Sequence, residues 1–411
     1  MSAAEPFGPT AARPPLLLVF AVTVTGILGN TLISAPLPDI LVEFGQEDAA
    51  AGLLVAAATL PGIVMAPVIG LLADRFGRRK VLIPCLAVFG IGGLLAVGAP
   101  SFGALLACRL LQGVGSAGLI NLAVVLLADS WDGEERARLI GYNAAVLTVS
   151  IAIFPAVGGL LAQLGGWRLS FVPYGLALVT AAAVYRWLPR VVVPTATSLR
   201  SQLSAAGRAL RQPVVAGSIS FGAVVFALIF GLFLTAMPVL LDDTFGLDPF
   251  ARGLMLSVPA LTSTLAALML GRVRAAVGAS RLLLIANLLF ALGFLTIGIA
   301  PAVSVVVVGA LCYGFGEGSA IPTLQDLVAS RAPDDSRAAV VAVWVGFARA
   351  GQTVGPLVAA LALGGIGAQA TFVAGAAVAG LLLVVQIVGR RVVAFDAVPV
   401  GGLPLAPTDR S

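Results

Sequence analysis

The chain has 411 residues, of which 59% are hydrophobic and only 10% charged, and its formal net charge is +5. Soluble domains average roughly 45–50% apolar and about 25% charged residues, so this composition excludes a soluble protein and predicts an integral membrane protein. The basic residues form no stripe along a soluble face, which excludes a nucleic-acid-binding surface. The chain has no histidine, and this excludes histidine triads, histidine metal ligands and histidine proton relays.

Apolar runs bounded by charged residues, Gly or Pro predict twelve membrane-spanning helices, because about 20 apolar residues cross the roughly 30 Å of bilayer hydrocarbon. The predicted spans are 15–37, 50–72, 81–99, 103–128, 138–163, 169–189, 213–240, 252–271, 281–300, 303–328, 338–362 and 368–389. The first run is longer than the apolar core of a signal peptide and no clean cleavage site follows it, so we expect it to be retained. The predicted fold class is therefore all-α and integral to the membrane.

The placement of Lys and Arg predicts the orientation of these helices, because short loops rich in either residue stay in the cytoplasm. With both termini in the cytoplasm, every Lys and Arg lies on the cytoplasmic side except Arg109, Arg168, Arg252 and Arg349. Arg168 and Arg252 fall on the outer side, and Arg109 and Arg349 fall inside predicted spans. We therefore expect a multi-pass protein of the cell membrane with cytoplasmic N- and C-termini.

The longest polar segment inside the chain, 190–212, lies at its midpoint and predicts a cytoplasmic linker. It separates an N-terminal six-helix bundle, 1–189, from a C-terminal six-helix bundle, 213–389, and a cytoplasmic tail, 390–411, follows. The two halves match at a constant offset of 201 residues, which pairs Gly70 with Gly271, Gly77 with Gly278, Pro100 with Pro301, Gly113 with Gly314, Gly115 with Gly316 and Pro155 with Pro356. Duplicated halves around a central site are typical of one class of secondary transporters.

The loop between spans 2 and 3 has an ordered sequence of small and charged residues. It reads Gly70-Leu-Leu-Ala-Asp74-Arg75-Phe-Gly77-Arg78-Arg79-Lys80. The glycines permit a sharp turn between helix ends, and Asp74 can pair with an arginine. A merely basic loop would explain the cations, but it would leave the ordered Gly, Asp and Gly unexplained.

This loop closely resembles the signature between helices 2 and 3 of the major facilitator superfamily of secondary transporters. The resemblance implies twelve helices in two pseudo-symmetric six-helix bundles. It also implies a cytoplasmic gate latch formed by Gly70, Asp74, Gly77 and Arg78. The corresponding segment of the second half, which runs from Gly271 to Gly278, has no acidic residue, so the latch is predicted to be asymmetric.

Three charged residues fall well inside predicted spans, namely Arg109, Glu317 and Arg349. A charge at the bilayer centre costs about 2.5–3.5 kcal/mol, so each needs a reason to be there. We interpret all three as candidates for ion coupling or for the charge that meets a substrate. Glu317 and Arg349 have similar predicted depth, which makes an ion pair plausible. That pair is either purely structural or breaks during transport, when withdrawal of Arg349 would let Glu317 bind a proton.

Arg109 begins a polar stripe with Gln112, Gly113 and Ser116 on one helical face. The segment from Arg109 to Gly118 resembles the helix 4 motif of the proton-linked branches of the superfamily. The resemblance implies a role of the arginine in proton transfer or in the architecture of the cavity. The alternative is an arginine that binds backbone carbonyls or lipid phosphate near the membrane interface.

The remaining candidates are predicted substrate contacts and gate residues. The predicted substrate contacts are Asn30, Gln112, Phe226, Phe230 and Gln352. For Asn30 a bond between helices is an equal alternative, and the two phenylalanines could instead face lipid or a neighbouring helix. Pro155 and Pro356 are predicted gate residues. The segment around Pro155 resembles the exporter signature of helix 5, although Ser150 and Phe154 replace glycines there.

Over nearly its full length the chain resembles the twelve-helix drug:proton antiporter families. This implies a monomer that exports a small lipophilic drug-like compound or metabolite against protons by rocker-switch alternating access, without a cofactor. The net positive charge of the three buried groups leaves an importer or exchanger of an anionic metabolite open. A non-transporting sensor or scaffold is a further alternative.

Enzymatic activity is not expected from this sequence. Within the chain there is no cluster of a nucleophile with a base, and the three cysteines fall in apolar runs without metal-ligand spacing. The segment from Gly113 to Gly118 matches G-x-G-x-x-G, but it lies inside a span with no preceding strand, so a dinucleotide site is rejected. No Walker motif is present, so we do not expect this chain itself to hydrolyse ATP.

Overall fold

The computed structural model describes residues 13–189, 213–331 and 337–388 and the single position 207. All regular elements in these ranges are helical. The predicted tail, 390–411, and all of the predicted linker except position 207 lie outside the described residues.

Six helices form the N-terminal half. They are α1, Leu16–Ser34, extended by the short helix Leu37–Glu43; α2, Ala51–Phe76; α3, Arg78–Val97; α4, in two segments, Phe102–Ser116 and Leu119–Ser130; α5, Gly133–Gly165; and α6, a 3-10 segment, Trp167–Gly175, followed by Leu176–Trp187. Two helices, α2 and α5, extend several residues past their predicted near ends, because a helix can continue through charged residues in the headgroup region. Thus α2 includes Asp74 and Arg75.

Six further helices form the C-terminal half. They are α7, Pro213–Leu228, continued by a π-helical turn, Ile229–Ala236, and by Met237–Asp243; α8, Pro249–Ser257 and Pro259–Val277; α9, Ala279–Gly298; α10, Val303–Arg331; α11, Arg337–Ile366; and α12, Ala368–Val388. Eleven of the twelve described helices are long and apolar enough to cross a membrane, and α11, with Arg349, Gln352 and Thr353, is the exception. The predicted all-α membrane architecture is confirmed.

Equivalent glycines make equivalent contacts in the two halves, always at the offset of 201 residues. A Cβ on Gly113 would overlap the Ala58 carbonyl oxygen, and one on Gly314 would overlap the Pro259 carbonyl oxygen. Likewise Gly115 lies against Cys85 and Phe89, and Gly316 lies against Ala286 and Phe290. Helices in lipid gain no hydrophobic drive from each other and depend on such close contacts. The two six-helix halves are therefore repeats of one packing scheme.

The two halves touch along a limited set of helix pairs. The α2 helix packs on α11, α5 packs on α8, and the short extension of α1 packs on the last segment of α7. We call the end of the bundle with the α2–α3 turn at Gly77 the near end, and the opposite end the far end. Apart from Arg349, which lies close to the middle of α11, the contact residues between halves described below lie in the far half of each helix. In contrast, the near halves of α5 and α8 are mostly exposed.

The turn at Gly77 generates a stability prediction. Gly77 has φ 91° and ψ 146°, a conformation that side chains with a Cβ rarely adopt, and Gly278 repeats it with φ 81° and ψ 159°. Such strain costs on the order of 1–3 kcal/mol, so Gly77→Ala should lower the thermal unfolding midpoint of the purified protein.

Gly70→Ala is the matched control. A Cβ on Gly70 has no atom within 4 Å and its φ is ordinary for a helix, so this variant should unfold at the wild-type midpoint or above it. A Gly77→Ala protein as stable as the control would contradict the strain at the turn.

Candidate functional site

Arg109 lies buried inside the N-terminal half, with none of its side chain exposed. It donates hydrogen bonds to three groups: the Asn30 side-chain oxygen on α1, the Gln112 Oε1 at 2.8 Å, and the Leu54 carbonyl oxygen on α2 at 3.3 Å. The guanidinium therefore ties α1, α2 and α4 together. No carboxylate in the described part of the chain pairs with it.

The structure places Arg109 away from solvent, and its predicted role in coupling or substrate binding stays a prediction. Its helical stripe faces the core of its own half, and Gln112, predicted to bind substrate, is buried with it. Asn30 is half-buried, and its side-chain oxygen is engaged by Arg109. A polar stripe shows that this face of the helix does not contact lipid. The stripe cannot show whether the face contacts the core of the bundle or lines a cavity.

Glu317 lies in the middle of α10 and is half-buried. The Tyr313 hydroxyl, one turn earlier on the same helix, lies near its carboxylate. The Tyr313 ring stacks on Phe233 of α7, with ring centroids 4.6 Å apart. Glu317 thus lies beside an aromatic cluster and is not fully enclosed.

Arg349 of α11 extends toward the N-terminal half. Its side chain is half-buried, and a Cβ built on Gly62 of α2 would lie 3.3 Å from its Cδ. Its Nη1 donates to Gln352 Oε1 at 3.2 Å. Next to them, the Thr353 hydroxyl donates to Thr59 of α2 at 2.9 Å. This polar group bridges the two halves.

The predicted ion pair between Glu317 and Arg349 is absent from the described residues. Each group instead has a partner on its own helix, Tyr313 for the acid and Gln352 for the base. Similar depth along two helices does not fix the direction of the side chains.

Of the predicted aromatic contacts, Phe226 and Phe230 are both half-buried, and Phe226 packs edge-on against Trp344 of α11 with centroids 6.2 Å apart.

The far end is closed by backbone contacts that repeat between the halves. The carbonyl oxygen of Pro356 on α11 meets Gly52 on α2, and that of Pro155 on α5 meets Gly253 on α8. These two contacts are equivalent, since Pro155 and Pro356, and likewise Gly52 and Gly253, are 201 residues apart. In each contact the glycine leaves no room for a Cβ. The two predicted gate prolines thus lie at the junction of the halves.

Arg252 adds an ionic contact that the sequence did not predict. It is 1% exposed at the far end, and it pairs with Asp39 of the N-terminal half at 2.5 Å and with Asp242 of its own half at 3.5 Å. The sequence offered one signal, since Arg252 was one of only two cations assigned to the acidic outer side. Burial between two carboxylates explains why a cation is retained there.

The near end has the charged loop, and its ion pairs lie within one half. Arg78 pairs with Asp74 and, through its Nε at 3.1 Å, with Asp129 of α4. Arg79 donates to the Tyr185 carbonyl oxygen of α6. Gly70 lies against open space. In the second half, Arg274 pairs with Asp326 of α10 at 2.6 Å, so an acid from another helix replaces the missing one.

Comparison with known proteins identifies the family. A family model described as Major Facilitator Superfamily matches residues 19–240 and, in a second overlapping match, residues 219–398. The chain belongs to the Major Facilitator Superfamily. It is therefore a multi-pass membrane protein of a transporter superfamily.

Curated relatives within the superfamily include resistance and export proteins. The methylenomycin A resistance protein of Bacillus subtilis (strain 168) is 41% identical over 126 residues, which are 30% of this chain and 27% of that protein. The bacillibactin exporter of the same strain is 26% identical over 265 residues, 60% of this chain and 63% of that protein. The matches thus span less than two-thirds of the length of either relative.

Solved structures of the superfamily share the fold. The human organic anion transporter MFSD10 (TETRAN) superposes with a TM-score of 0.69 at 21% identity, over 90% of this chain and 98% of that chain. A bacterial homologue of the human lysosomal transporter Spinster, in an inward-facing and occupied conformation, superposes with a TM-score of 0.75 at 19% identity, over 92% and 96%. At these identities the likeness establishes the fold alone.

The glycine contacts at the far end generate a second prediction. Gly253→Ala would place a methyl group against the Pro155 carbonyl oxygen, and overpacking of this kind costs about 1–3 kcal/mol. The far end should therefore open more often. Spin labels at Gln46 and Thr244, in a protein without its native cysteines, would report a longer distance by double electron–electron resonance.

Gly365→Ala is the control, because its Cβ would meet no atom within 4 Å. A distance distribution common to both variants would refute the role of the contact.

The Asp39 carboxylate generates a pH prediction. Burial between the halves raises its pKa above the ordinary value, although the Arg252 guanidinium opposes this shift. When the far end opens, water reaches Asp39 and its pKa returns toward the ordinary value, so the closed form binds the proton more tightly. Acidification should therefore favour the closed far end, between the ordinary and the raised pKa.

The same labelled pair measures this effect as the pH is lowered from neutral. Asp39→Asn should weaken the pH dependence, while the nearby Asp243 remains to titrate. Glu43→Gln is the control, because Glu43 lies on the same short helix but bonds to Arg168 and Trp167 of its own half. An unchanged pH response in Asp39→Asn would exclude Asp39 as a proton-sensitive group of this gate.

Proposed function

We propose that this protein exports a small lipophilic compound in exchange for protons, by alternating access between its two halves. One observation supports the proposal above the others. Among the described residues, Glu317 is the only carboxylate that lies away from the ends of the spans, and it is half-buried without a cationic partner. An unpaired acid at this depth is costly, and such groups mark ion and proton pathways.

The contacts between the halves support the alternating part of the proposal. The far end is closed by Gly52, Gly253 and the two prolines, whereas the ion pairs of Asp74 and Arg78 at the near end stay within one half. In this state Glu317 exchanges protons with the near side. Closure of the near end would bring the open surface at Gly70 against the C-terminal half, and opening of the far end would present Glu317 to the other side.

Protonation changes the cost of this movement. An ionised Glu317 must be desolvated when the site closes around it, whereas a neutral one need not be. A proton therefore lowers the barrier for the empty carrier to reorient. In the opposite step Glu317 is ionised, because it has released its proton to the near side, and the contacts of the bound compound offset the cost of closing around it. Arg349, which crosses to α2 and bonds Gln352, would adjust its position as α2 and α11 separate.

The names of the relatives support export as the direction. One confers resistance to methylenomycin A and another is the bacillibactin exporter. For this chain we accordingly propose efflux across the cell membrane by a monomer, with the near end and both termini in the cytoplasm. Phe226, Phe230 and the accessible edge of Asn30 would contact the compound, and none of these contacts requires a charged substrate.

The alternative of an anion importer loses part of its basis. It rested on a net positive charge from Arg109, Glu317 and Arg349 in one cavity. Because Arg109 is sealed inside the N-terminal half, the accessible formal charge is the sum of one acid and one base. A neutral or weakly charged lipophilic compound fits this balance better than an anion does.

The proposal is tested by Glu317→Gln in proteoliposomes. The transported compound would be the one that most stabilises the purified protein in a thermal-shift screen. If Glu317 is the proton-coupling group, its removal should reduce transport driven by a pH gradient to the level of protein-free liposomes. Counterflow exchange of the compound, which moves no net proton, should continue.

Asp326→Asn is the matched control, because Asp326 is an acid of the same helix that pairs with Arg274 at the near end. It should keep its response to the pH gradient. Gradient-driven transport that survives in Glu317→Gln would rule out the coupling role, and loss of counterflow together with gradient-driven transport would indicate a binding role instead.

A further inference from the structure

A crevice of about 420 Å³ opens on the N-terminal half near the α2–α3 turn. Its walls come from α2, through Val68, Leu72 and Phe76, and from α3, through Pro84 and Val88; Val114 and Gly115 of α4 form its floor. Nearly all of the lining is apolar, and Lys80 at the start of α3 is the one charged residue in it. None of the residues assigned to transport above lines this space.

The crevice faces away from the rest of the protein. Its floor is α4, which packs on α2 through Gly118 against Ile69 and on α3 through Gly115 against Cys85. With α4 behind it, the mouth between α2 and α3 lies on the outer surface of the bundle. The face of α2 that contacts α11 bears Gly52 and Thr59 instead. The crevice is therefore open to membrane lipid and not to the space between the halves.

Its length matches one leaflet of a bilayer. The lining of α2 runs from Met65 to Phe76, about 16 Å at 1.5 Å per residue. Half of the hydrocarbon thickness is about 15 Å. An acyl chain that enters beside Phe76 would lie along the crevice and end near the bilayer midplane.

Two cations lie at the headgroup end of the crevice. Lys80 is exposed, and Arg75 is exposed with its guanidinium 5.4 Å from the centre of the Phe76 ring. Neither forms an ion pair within the described ranges, in contrast to Arg78 beside them, which pairs with Asp74 and Asp129. The pair of free cations above an apolar groove complements the charge and shape of an anionic phospholipid.

We propose that this crevice is a binding site for one anionic phospholipid of the near leaflet. One acyl chain lies between α2 and α3, and the phosphate contacts Arg75 and Lys80. Because juxtamembrane cations attract anionic lipids of the cytoplasmic leaflet, the site agrees with a cytoplasmic near end. The lipid would sit directly beside the Asp74–Arg78 pair and fill a space that neighbouring helices leave empty.

The full-length protein in detergent, mixed with equal amounts of phosphatidylglycerol and phosphatidylcholine, tests the charge requirement by native mass spectrometry. The wild type should retain one phosphatidylglycerol in preference to phosphatidylcholine by roughly five-fold per cation. R75Q/K80Q should abolish this preference. R272Q/R281Q removes two exposed cations from the same end of the C-terminal half and should preserve it. Equal loss in both double variants, or no preference in the wild type, would overturn the proposal.

A second measurement tests the location. F76W places a fluorophore at the mouth of the crevice, and its emission is read as the difference from the parent protein. Brominated phosphatidylglycerol in phosphatidylcholine vesicles should quench it more strongly than brominated phosphatidylcholine does, and V68F, which fills the crevice, should remove the difference with both cations intact. Soluble glycerophosphate should not compete. Equal quenching by both lipids, or displacement by glycerophosphate, would contradict an anionic lipid held by its acyl chain.

Discussion

The structure depends on direct backbone contact between helices at glycine. In a bilayer the lipid is as apolar as a leucine side chain, so helices associate through close packing and not through burial from water. Between the halves, the same kind of close packing occurs where Gly52 contacts Pro356 and Gly253 contacts Pro155. These contacts keep the far end closed. A contact that consists of a glycine and a carbonyl oxygen has no side chains to disentangle. It can therefore form and separate repeatedly, as the proposed alternating access requires.

The apolar bilayer also accounts for the distribution of the charged groups. Three hydrogen bonds to neutral oxygens offset the cost of burying the charge of Arg109. They make Arg109 a fixed part of the N-terminal half. Glu317 and Arg349 each have fewer partners and remain half-buried. In the proposed mechanism they are the groups whose surroundings change when the halves move. Burial, and not charge alone, thus separates a structural ion from a candidate coupling ion.

The two halves share a packing scheme but differ in their ionic contacts. Arg252 binds Asp39 across the far end, whereas its equivalent at the offset of 201 is Ala51. The near end has Asp74 and Arg78 in the first half and Arg274 with Asp326 in the second. Packing is set by backbone geometry and is shared by the two halves, whereas the ionic contacts at the two ends differ. The crevice proposed to bind lipid also differs between the halves, since Arg75 has no basic equivalent at Ala276.

The sequence by itself determined the number of helices, their repeat and the residues at which charge enters the membrane. These follow from hydrophobic length and from the cost of burying charge, which are properties of single segments. Tertiary structure alone decided what each polar group meets. It sealed Arg109 and Gln112 in a core, separated Glu317 from Arg349, and brought Arg252 to Asp39 from 213 positions away. Depth along a helix can be read from a sequence, but the rotation of that helix and the identity of its neighbours are set by packing among all twelve.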